Sequence, residues 1–328
     1  MIKVLTIGDV HIKVNNIVES KEMIERTVNL AKERKPDFIV CLGDVLDRHS
    51  TIHVQCLMMA EKMTQELSEI APFFLIVGNH DRPNNSNFLT NEHPFNAMKK
   101  WDNVTIVDNV IEYNIKNHRF ILAAYVPPGR FDEALQTIEN PYKDVTCYFA
   151  HQEIINCKMG AIISKCGDPW PLENSLLVCG HIHDRDQLQD NMIYTGTPIQ
   201  HGFGDSGNKT LSIFDFIDDK TWKEELIDLG MKKKVTIYIT PKEVNDYIIP
   251  QNKIVKLVIR GEEAEIKTIA KLDKIQQLKK EGVKISFKVI QSIETSNKVV
   301  NKMSYKDRLF KEIQGDLHSI SWYNKIFS

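Results

Sequence analysis

Three times between residues 1 and 81 an apolar run stops at a glycine and gives way at once to acidic, amide or imidazole side chains: "KVLTIGDVH", "DFIVCLGD" and "FFLIVGNHD". The runs are short and rich in β-branched and aromatic residues, so each reads as a strand. The third, Phe73–Val77, has no polar interruption, as expected of a strand buried on both faces of a parallel sheet. Helical periodicity fills the gaps. In "SKEMIERTVNLAKERK" Met23, Ile24, Thr27, Val28 and Ala31 recur at helical spacing, with Ser20 placed as the N-cap, and "IHVQCLMMAEKMTQELSEI" is a second helix. Such strand–helix–strand repeats predict an α/β domain of parallel strands, where ligands gather at the carboxyl ends of the strands.

Beyond residue 103 strands dominate. "VTIVDNVIEYNI" and "HRFILAAYVPP" read as successive strands with a short turn at Lys116–Asn117, and "DVTCYFAH", "NSLLVCGH", "NMIYTGT" and "KTLSIFDFID" add more. So many strands predict two sheets packed face to face rather than one doubly wound sheet. Lys232–Lys234 and Pro241 mark a boundary, giving a first domain over 1–230. A strand, a helix and a strand follow ("KIVKLVIRG", "EEAEIKTIAKLDKIQQLKKEG", "VKISFKVI"), a small β-α-β domain over 231–292. Its helix is expected to bury Ile266, Ile269, Ala270, Ile275 and Leu278. Residues 293–328 form a tail with one candidate helix, "YKDRLFKEI".

The chain has 328 residues, 42% of them hydrophobic, enough for a sizeable core. No apolar run reaches the ~18 residues of a membrane span, and the opening strand lacks the order of a signal peptide. A soluble, intracellular and cytoplasmic protein is expected. The six cysteines form no CxxC pair and several sit in apolar runs, which predicts small buried thiols in a reducing compartment rather than a thiolate zinc site. Net charge is −2, unevenly spread: residues 231–328 hold 20 basic and 11 acidic residues, and residues 1–230 hold 22 and 33. Solvated lysine faces, or a basic surface for a polyanion beside an acidic catalytic region, fit that asymmetry equally well.

Five strand ends carry the chemistry. Asp9 and His11 lie two apart and, in an extended chain, point to the same side. Asp44 follows Gly43. Asn79, His80 and Asp81 follow Gly78; an Asn carbonyl can ligate a metal, and a neighbouring acid can orient a His ring. His151 ends "YFAH". His181 and His183 alternate after Gly180, with Cys179 before them assigned to the core. Singly, each is explained by a surface turn or a cap. Jointly, five ends that use five of the eleven histidines point to one metal site.

The ordered set D-x-H, G-D-x-x-D, G-N-H-D, H and G-H-x-H resembles the calcineurin-like metallophosphoesterase superfamily over roughly residues 1–200. The resemblance implies a four-layer α/β/β/α sandwich around two divalent ions. Asp9, His11, Asp44 and His183 would hold one; Asp44, Asn79, His151 and His181 would hold the other, with Asp44 bridging. Two such cations activate a hydroxide and clamp an anionic phosphate. Oxygen and imidazole donors without thiolate suit Mn²⁺, with Mg²⁺, Fe and Zn as the other candidates. His80 is the unligated catalytic residue in this pattern, stabilising the transition state or protonating the leaving oxygen, with its ring set by Asp81 or another acid. Asp47 and His49 flank the site as candidates for touching substrate.

Two further features resemble one branch, the SbcD and meiotic recombination 11 type double-strand-break repair nucleases and their phage relatives. One is "YTGTPIQHGFGDSGNKTLSIFDF"; the other is the small domain with "VIRGEEAEI", which resembles the branch's DNA-capping domain. Asp47 matches the SbcD branch, where the meiotic branch has His. The implied protein is a Mn²⁺-dependent DNA nuclease with 3′→5′ exonuclease and single-strand endonuclease activity. It would serve DNA repair and recombination beside an SbcC-type coiled-coil ATPase, as a homodimer through the early helices. The short tail leaves a small ATPase-binding element within 295–328, on Tyr305, Leu309 and Ile313. A phosphoprotein phosphatase or cyclic-nucleotide phosphodiesterase on the same fold is the alternative, and the complete residue set argues against a non-enzymatic scaffold.

Overall fold

A computed structural model describes residues 1–49, 51–290, 305–313, 315–316 and 319–323. The chain runs β1 (Ile2–Ile7), α1 (Ile17–Arg34), β2 (Phe38–Cys41), α2 (Val54–Ser68), β3 (Phe73–Ile76), β4 (Val104–Val107), β5 (Val110–Ile115) and β6 (His118–Ala123). There follow α3 (Phe131–Leu135), β7 (Cys147–His151), the small hairpin β8 (Lys158–Met159) and β9 (Ile162–Ile163), β10 (Leu176–Gly180), β11 (Asp186–Gln189) and β12 (Met192–Tyr194). The last elements are β13 (Leu211–Phe216), β14 (Trp222–Ile227), β15 (Lys233–Ile239), β16 (Lys253–Gly261), α4 (Glu263–Ile269), α5 (Asp273–Lys280), β17 (Lys284–Val289) and α6 (Tyr305–Glu312).

Two six-stranded sheets form the large unit, in the orders β14-β13-β1-β2-β3-β4 and β11-β12-β10-β7-β6-β5. Strands β1 to β4 are parallel, as are β12, β10, β7 and β6; antiparallel strands close both edges of the second sheet and one edge of the first, whose other edge is β4. The facing surfaces bury Val4, Phe38, Val40, Phe74 and Ile76 against Phe120, Leu122, Phe149 and Val178. Phe38 meets Phe120 edge-on, with ring centroids 5.0 Å apart, a favoured aromatic geometry. Helices α1 and α2 cover the outer face of the first sheet through Met23, Ile24, Ala60, Met63 and Leu67. The outer face of the second is covered by the five-residue α3 and by loop residues such as Trp170. The fold is thus an α/β metallophosphoesterase-type sandwich whose fourth layer is mostly loop.

Three local expectations are corrected. The first helix starts at Ile17, not after Ser20; Ser20 sits in its first turn and donates to Asn16 Oδ1 (3.1 Å), while Asn16 Nδ2 donates to the carbonyl of His11 (3.0 Å). "VTIVDNVIEYNI" is two strands in different sheets, because the chain turns at Asp108, which Lys99 (2.5 Å) and His93 (3.2 Å) hold in place. The single helix expected over "EEAEIKTIAKLDKIQQLKKEG" is α4 and α5, broken at Ala270–Leu272. In one continuous helix Ile266 and Ile275, nine residues apart, would point about 180° from each other. The break lets both be buried with Leu278.

The small unit is a parallel three-stranded sheet, order β15-β16-β17. Strand β15 was not foreseen. Val235, Ile237, Val255, Leu257 and Ile259 pack beneath α4 and α5, so one face is a core. Tyr305, Leu309 and Ile313 fall on or just after α6, whereas residues 293–304 lie outside the described residues.

Candidate active site

The parallel central strands of both sheets deliver their carboxyl ends to one place. His151 is the last residue of β7 and His181 the first after β10, while Asp9, Asp44 and Asn79 stand two or three residues beyond β1, β2 and β3. Convergence does not come from strand alternation, as the sequence had suggested for Asp9/His11 and His181/His183. The strands have already ended, and His11, Asp44 and His181 adopt left-handed backbone (φ 45°, 48° and 82°). Non-glycine residues rarely adopt that region, and where they do the surrounding structure imposes it. Here backbone donors impose it: His11 N donates to the Asp44 carbonyl (2.9 Å), and His181 N to both carboxylate oxygens of Asp9 (3.0 Å each).

Two side-chain clusters result, Asp9–His11–His183 and Asp44–His151–His181. In the first, His11 Nε2 faces His183 Nε2 at 3.1 Å. In the second, Asn79 Oδ1 lies 2.9 Å from His151 Nε2 and 3.0 Å from His181 Nδ1. Asp44 stands between them. Its Oδ1 accepts from His80 N (2.8 Å), and its Oδ2 is 3.6 Å from His11 Nε2 and 3.4 Å from His151 Nε2.

The donor set fits metal ions. His151 Nδ1 is 2.9 Å from the Leu42 carbonyl, which only accepts, so Nδ1 carries a proton and Nε2 faces Asn79 Oδ1 and Asp44 Oδ2. A neutral His151 then leaves three acceptors facing one another with no hydrogen between them. A cation satisfies all three; without one, His151 must take a second proton. Buried Nδ1 atoms of His11 and His201 have no hydrogen-bond partner. Burial and the neighbouring imidazoles hold His11 well below the ordinary histidine range, and burial followed by the charge of His151 pulls His181 down to about 3. Both are therefore neutral lone-pair donors at neutral pH. Burial disfavours a charged His151, but Asp44 and Asp9 outweigh it and raise the ring to about 9. Burial also opposes the charge on Asp44, and His151, His11 and His80 override it and keep that carboxylate ionised. Asp9, desolvated and beside Asp44, is raised to about 7.

His80 borders the clusters, its ring centroid 4.9 Å from that of His11. Its Nδ1 is 2.9 Å from the Asp47 carbonyl, which fixes the tautomer and leaves Nε2 free. His49 stacks on it at 4.5 Å. The acid expected to orient His80 does something else: Asp81 accepts from the backbone of Val45 (3.3 Å), Leu46 (2.9 Å) and Gly78 (3.1 Å), bracing the loop that carries Asp44. The Asp47 carboxylate lies 3.0 Å from Lys13 Nζ and 3.8 Å from His11 Nδ1.

His201 was missed. Its Nε2 is 3.2 Å from the Asp9 carbonyl, and its ring is 5.0 Å from His11 and 5.4 Å from His183. It follows no apolar run, so the strand-end pattern gave no signal for it. Arg82 was missed too: fully buried, it donates to the Tyr125 carbonyl (2.5 Å) and lies over the Tyr125 ring, which packs against His151 and His181. The sequence places it in a polar stretch that reads as surface.

Residues 2–261 match the family model described as calcineurin-like phosphoesterase. The chain belongs to that family. Its chemistry at that level is phosphoester hydrolysis, and the family implies divalent metal ions. The chain is 37% identical to "Putative phosphoesterase 078R" of Invertebrate iridescent virus 3 over 334 residues, covering 97% of this chain and 95% of the relative. It is 37% identical to "Putative phosphoesterase 244L" of Invertebrate iridescent virus 6 over 278 residues, covering 82% and 97%. Among solved structures, purple acid phosphatase PPD1 from yellow lupin matches at TM-score 0.44 and 12% identity, over 70% of this chain and 51% of that one. The E. coli phosphoesterase YfcE matches at 0.33 and 14%, over 69% and 99%. Among the described residues no helix is long and apolar enough to cross a membrane.

Proposed function

We propose that this phosphoesterase is a DNA nuclease of the SbcD and meiotic recombination 11 type, acting on phosphodiester bonds in a polynucleotide. The observation that carries the reading is where the basic small unit sits. Lys284 Nζ lies 5.3 Å over the ring of Phe203, two residues from His201. The Gln200 side chain bonds both backbone groups of Lys234 (2.7 and 3.2 Å). A cationic surface set against the loop that carries His201 suits a polyanion better than a small phosphoester.

Asp9, His11 and His183, and Asn79, His151 and His181, would hold two divalent ions with Asp44 between them, Mn²⁺ best matching the oxygen and imidazole donors. Such ions supply Lewis-acid polarisation of the phosphate and an acidified water. The chain's own residues do the rest. Asp44 Oδ1 is held by His80 N, so Oδ2 stays directed between the clusters. His80, its Nδ1 proton committed to the Asp47 carbonyl, presents Nε2 to hold a proton for the leaving oxygen. Lys13, ion-paired with Asp47, stands at the rim.

The partner readings are proposals of the same standing. Val14, Val18, Val54 and Met58 are exposed beside a groove of ≈ 550 Å³ whose lining mixes Ile12 and Ile52 with Lys13, Asp47 and Arg48, and these exposed side chains support a homodimer through the early helices. The tail with α6 is proposed to contact an SbcC-type ATPase.

The test is cleavage by purified full-length protein with Mn²⁺ on duplex ends, hairpins and a small phosphodiester, beside His80→Ala and Asp44→Ala. The reading expects DNA cleavage that both substitutions abolish. Turnover of the small ester alone would favour a phosphatase or cyclic-nucleotide phosphodiesterase, and DNA cleavage unaffected by both changes would sink the proposed site.

A further inference from the structure

The small sheet buries one face under α4 and α5 and, among the described residues, leaves the other without a helix. Strand alternation puts Thr236 and Tyr238 of β15 on that open face, with Lys256, Val258 and Arg260 of β16 and Lys284, Ser286 and Lys288 of β17. Register sets them in rows: Tyr238, Val258 and Ser286 side by side, with Arg260 next to Lys288 and Lys256 next to Lys284. They border a groove of ≈ 600 Å³ that Phe203 and Gly204 close on the side of the metal site.

Three properties of the groove point to one kind of occupant. Its aromatics carry cations: the Arg260 guanidinium lies 3.8 Å over the Tyr238 ring, and Lys284 covers Phe203. Tyr238 is 55% exposed, so much of its ring is open to a ligand. The cations are also unneutralised. Lys256, Arg260, Lys284 and Lys288 have no carboxylate within 4.0 Å among the described residues, whereas Lys234 is paired with Glu19 and Lys267 with Glu263. The buried Nε of Arg260 has no hydrogen-bond partner. Finally, the floor between the aromatics is made of the small side chains Thr236, Val258 and Ser286, which leaves room for flat rings.

Backbone charge alone would serve a duplex, but a duplex hides the faces of its bases, and exposed aromatics gain nothing from it. An unpaired strand offers both phosphates and open base faces, the combination that aromatic-basic grooves hold. We propose that this face holds an unpaired stretch of DNA, with bases stacked on Tyr238 and Phe203 and phosphates on Lys256, Arg260, Lys284 and Lys288. It leads the strand past the 201–205 loop to the metal clusters. The proposal rests on the nuclease reading and names the form of substrate that reading requires.

The test uses full-length protein and a labelled, cleavage-resistant phosphorothioate dT oligonucleotide of about 12 nucleotides, beside a duplex of equal length, followed by fluorescence anisotropy. Tyr238→Ala should weaken dT binding about tenfold and leave duplex binding unchanged, while Tyr238→Phe retains it. Lys256→Glu should weaken both and lower the salt slope of log K by about one. Thermal melting confirms that each variant is folded. Tyr238→Ala that binds dT like the parent, or that loses duplex binding equally, overturns the proposal. Cleavage of ordinary DNA with Mn²⁺ judges the nuclease reading apart: a parent that cuts DNA while Tyr238→Ala binds dT normally keeps the nuclease and loses the strand-holding face. A parent that cuts no DNA loses both.

Discussion

His49 lies flat on His80, with ring centroids 4.5 Å apart and planes inclined by 23°. The stack and the Asp47 carbonyl together leave His80 one orientation, with Nε2 outward. His80 belongs to neither cluster, so under the proposed mechanism replacing it removes proton transfer and leaves the metal donors intact. His80→Ala should lower kcat about 10²- to 10⁴-fold on a small phosphodiester with metal content by elemental analysis unchanged. His49→Ala removes the stacking partner and, with it, the hydrogen bond from the His49 ring to the Arg82 carbonyl (3.2 Å), and should cost about tenfold. Loss of metal in His80→Ala would assign it to the ligands instead.

Metal uptake should release protons, with a pH dependence set by His151 and Asp9. Metal ligands bind deprotonated. His151, raised to about 9, is protonated in the metal-free protein at pH 8, whereas Asp9, raised to about 7, is already ionised. Calorimetry of Mn²⁺ binding at pH 8 in buffers of different ionisation enthalpy should therefore show about one proton released. Affinity should rise with pH up to about 9, more steeply below 7 where Asp9 contributes a second proton. The stability of the metal-free form runs the other way. Both groups have folded values above their unfolded ones, so their stabilisation is present at low pH and lost as pH rises through about 7 and then about 9. Its Tm should fall across that window, and His151→Gln should flatten the upper part.

Most of the site was legible because it is written at strand ends. An apolar run buried on both faces cannot carry a charge until it leaves the sheet, so the first polar residues beyond Ile7, Cys41, Ile76 and Gly180 mark where each chain emerges. Sequence spacing could not show how those residues turn inward, since left-handed backbone at His11, Asp44 and His181 is imposed by hydrogen bonds from distant segments. The role of Asp81 was misread for the same reason: its partners are backbone groups at Val45, Leu46 and Gly78, and a sequence names side chains only. His201 depends on a loop closed by Asp205, which accepts from His201 N (2.7 Å) and Gly202 N (2.8 Å). Two features were present but overlooked: the run "VTIYI" of β15, and the break between α4 and α5, since Ile266 and Ile275 are out of phase for a single helix.

Lys234 joins the small unit to the metal-site loop. Its Nζ lies 2.5 Å from Glu19 Oε2 and 2.6 Å from the Gln200 carbonyl, and its side chain is almost wholly buried. Lys234→Met keeps the packed stem and removes the charge, leaving Glu19 and that carbonyl without their donor. With Glu19 partly exposed, stability should fall by only about 1–2 kcal/mol in urea unfolding. Cleavage of DNA should drop more than turnover of a small diester, because the loosened loop carries Phe203. Equal losses on both substrates would refute that coupling.

Gly78 has no room for a side chain. A Cβ there would overlap the Asp44 carboxylate and the Asp44 backbone nitrogen. Asp44 cannot retreat: its Oδ1 is held by His80 N, and Gly78 N itself donates to Asp81, which braces the same loop. Gly78→Ala should therefore displace the one carboxylate that faces both clusters. It should abolish activity, weaken Mn²⁺ binding by at least tenfold and lower stability by about 1–3 kcal/mol through overpacking. Gly207 is the control: a Cβ there meets only Lys233 Cδ at 3.7 Å, an ordinary contact, so Gly207→Ala should leave activity and Tm unchanged. Metal affinity by calorimetry and Tm by thermal melting on the pair separate an effect on the site from a general intolerance of alanine, and a Gly78→Ala protein that binds Mn²⁺ normally would remove Asp44 from the bridging position.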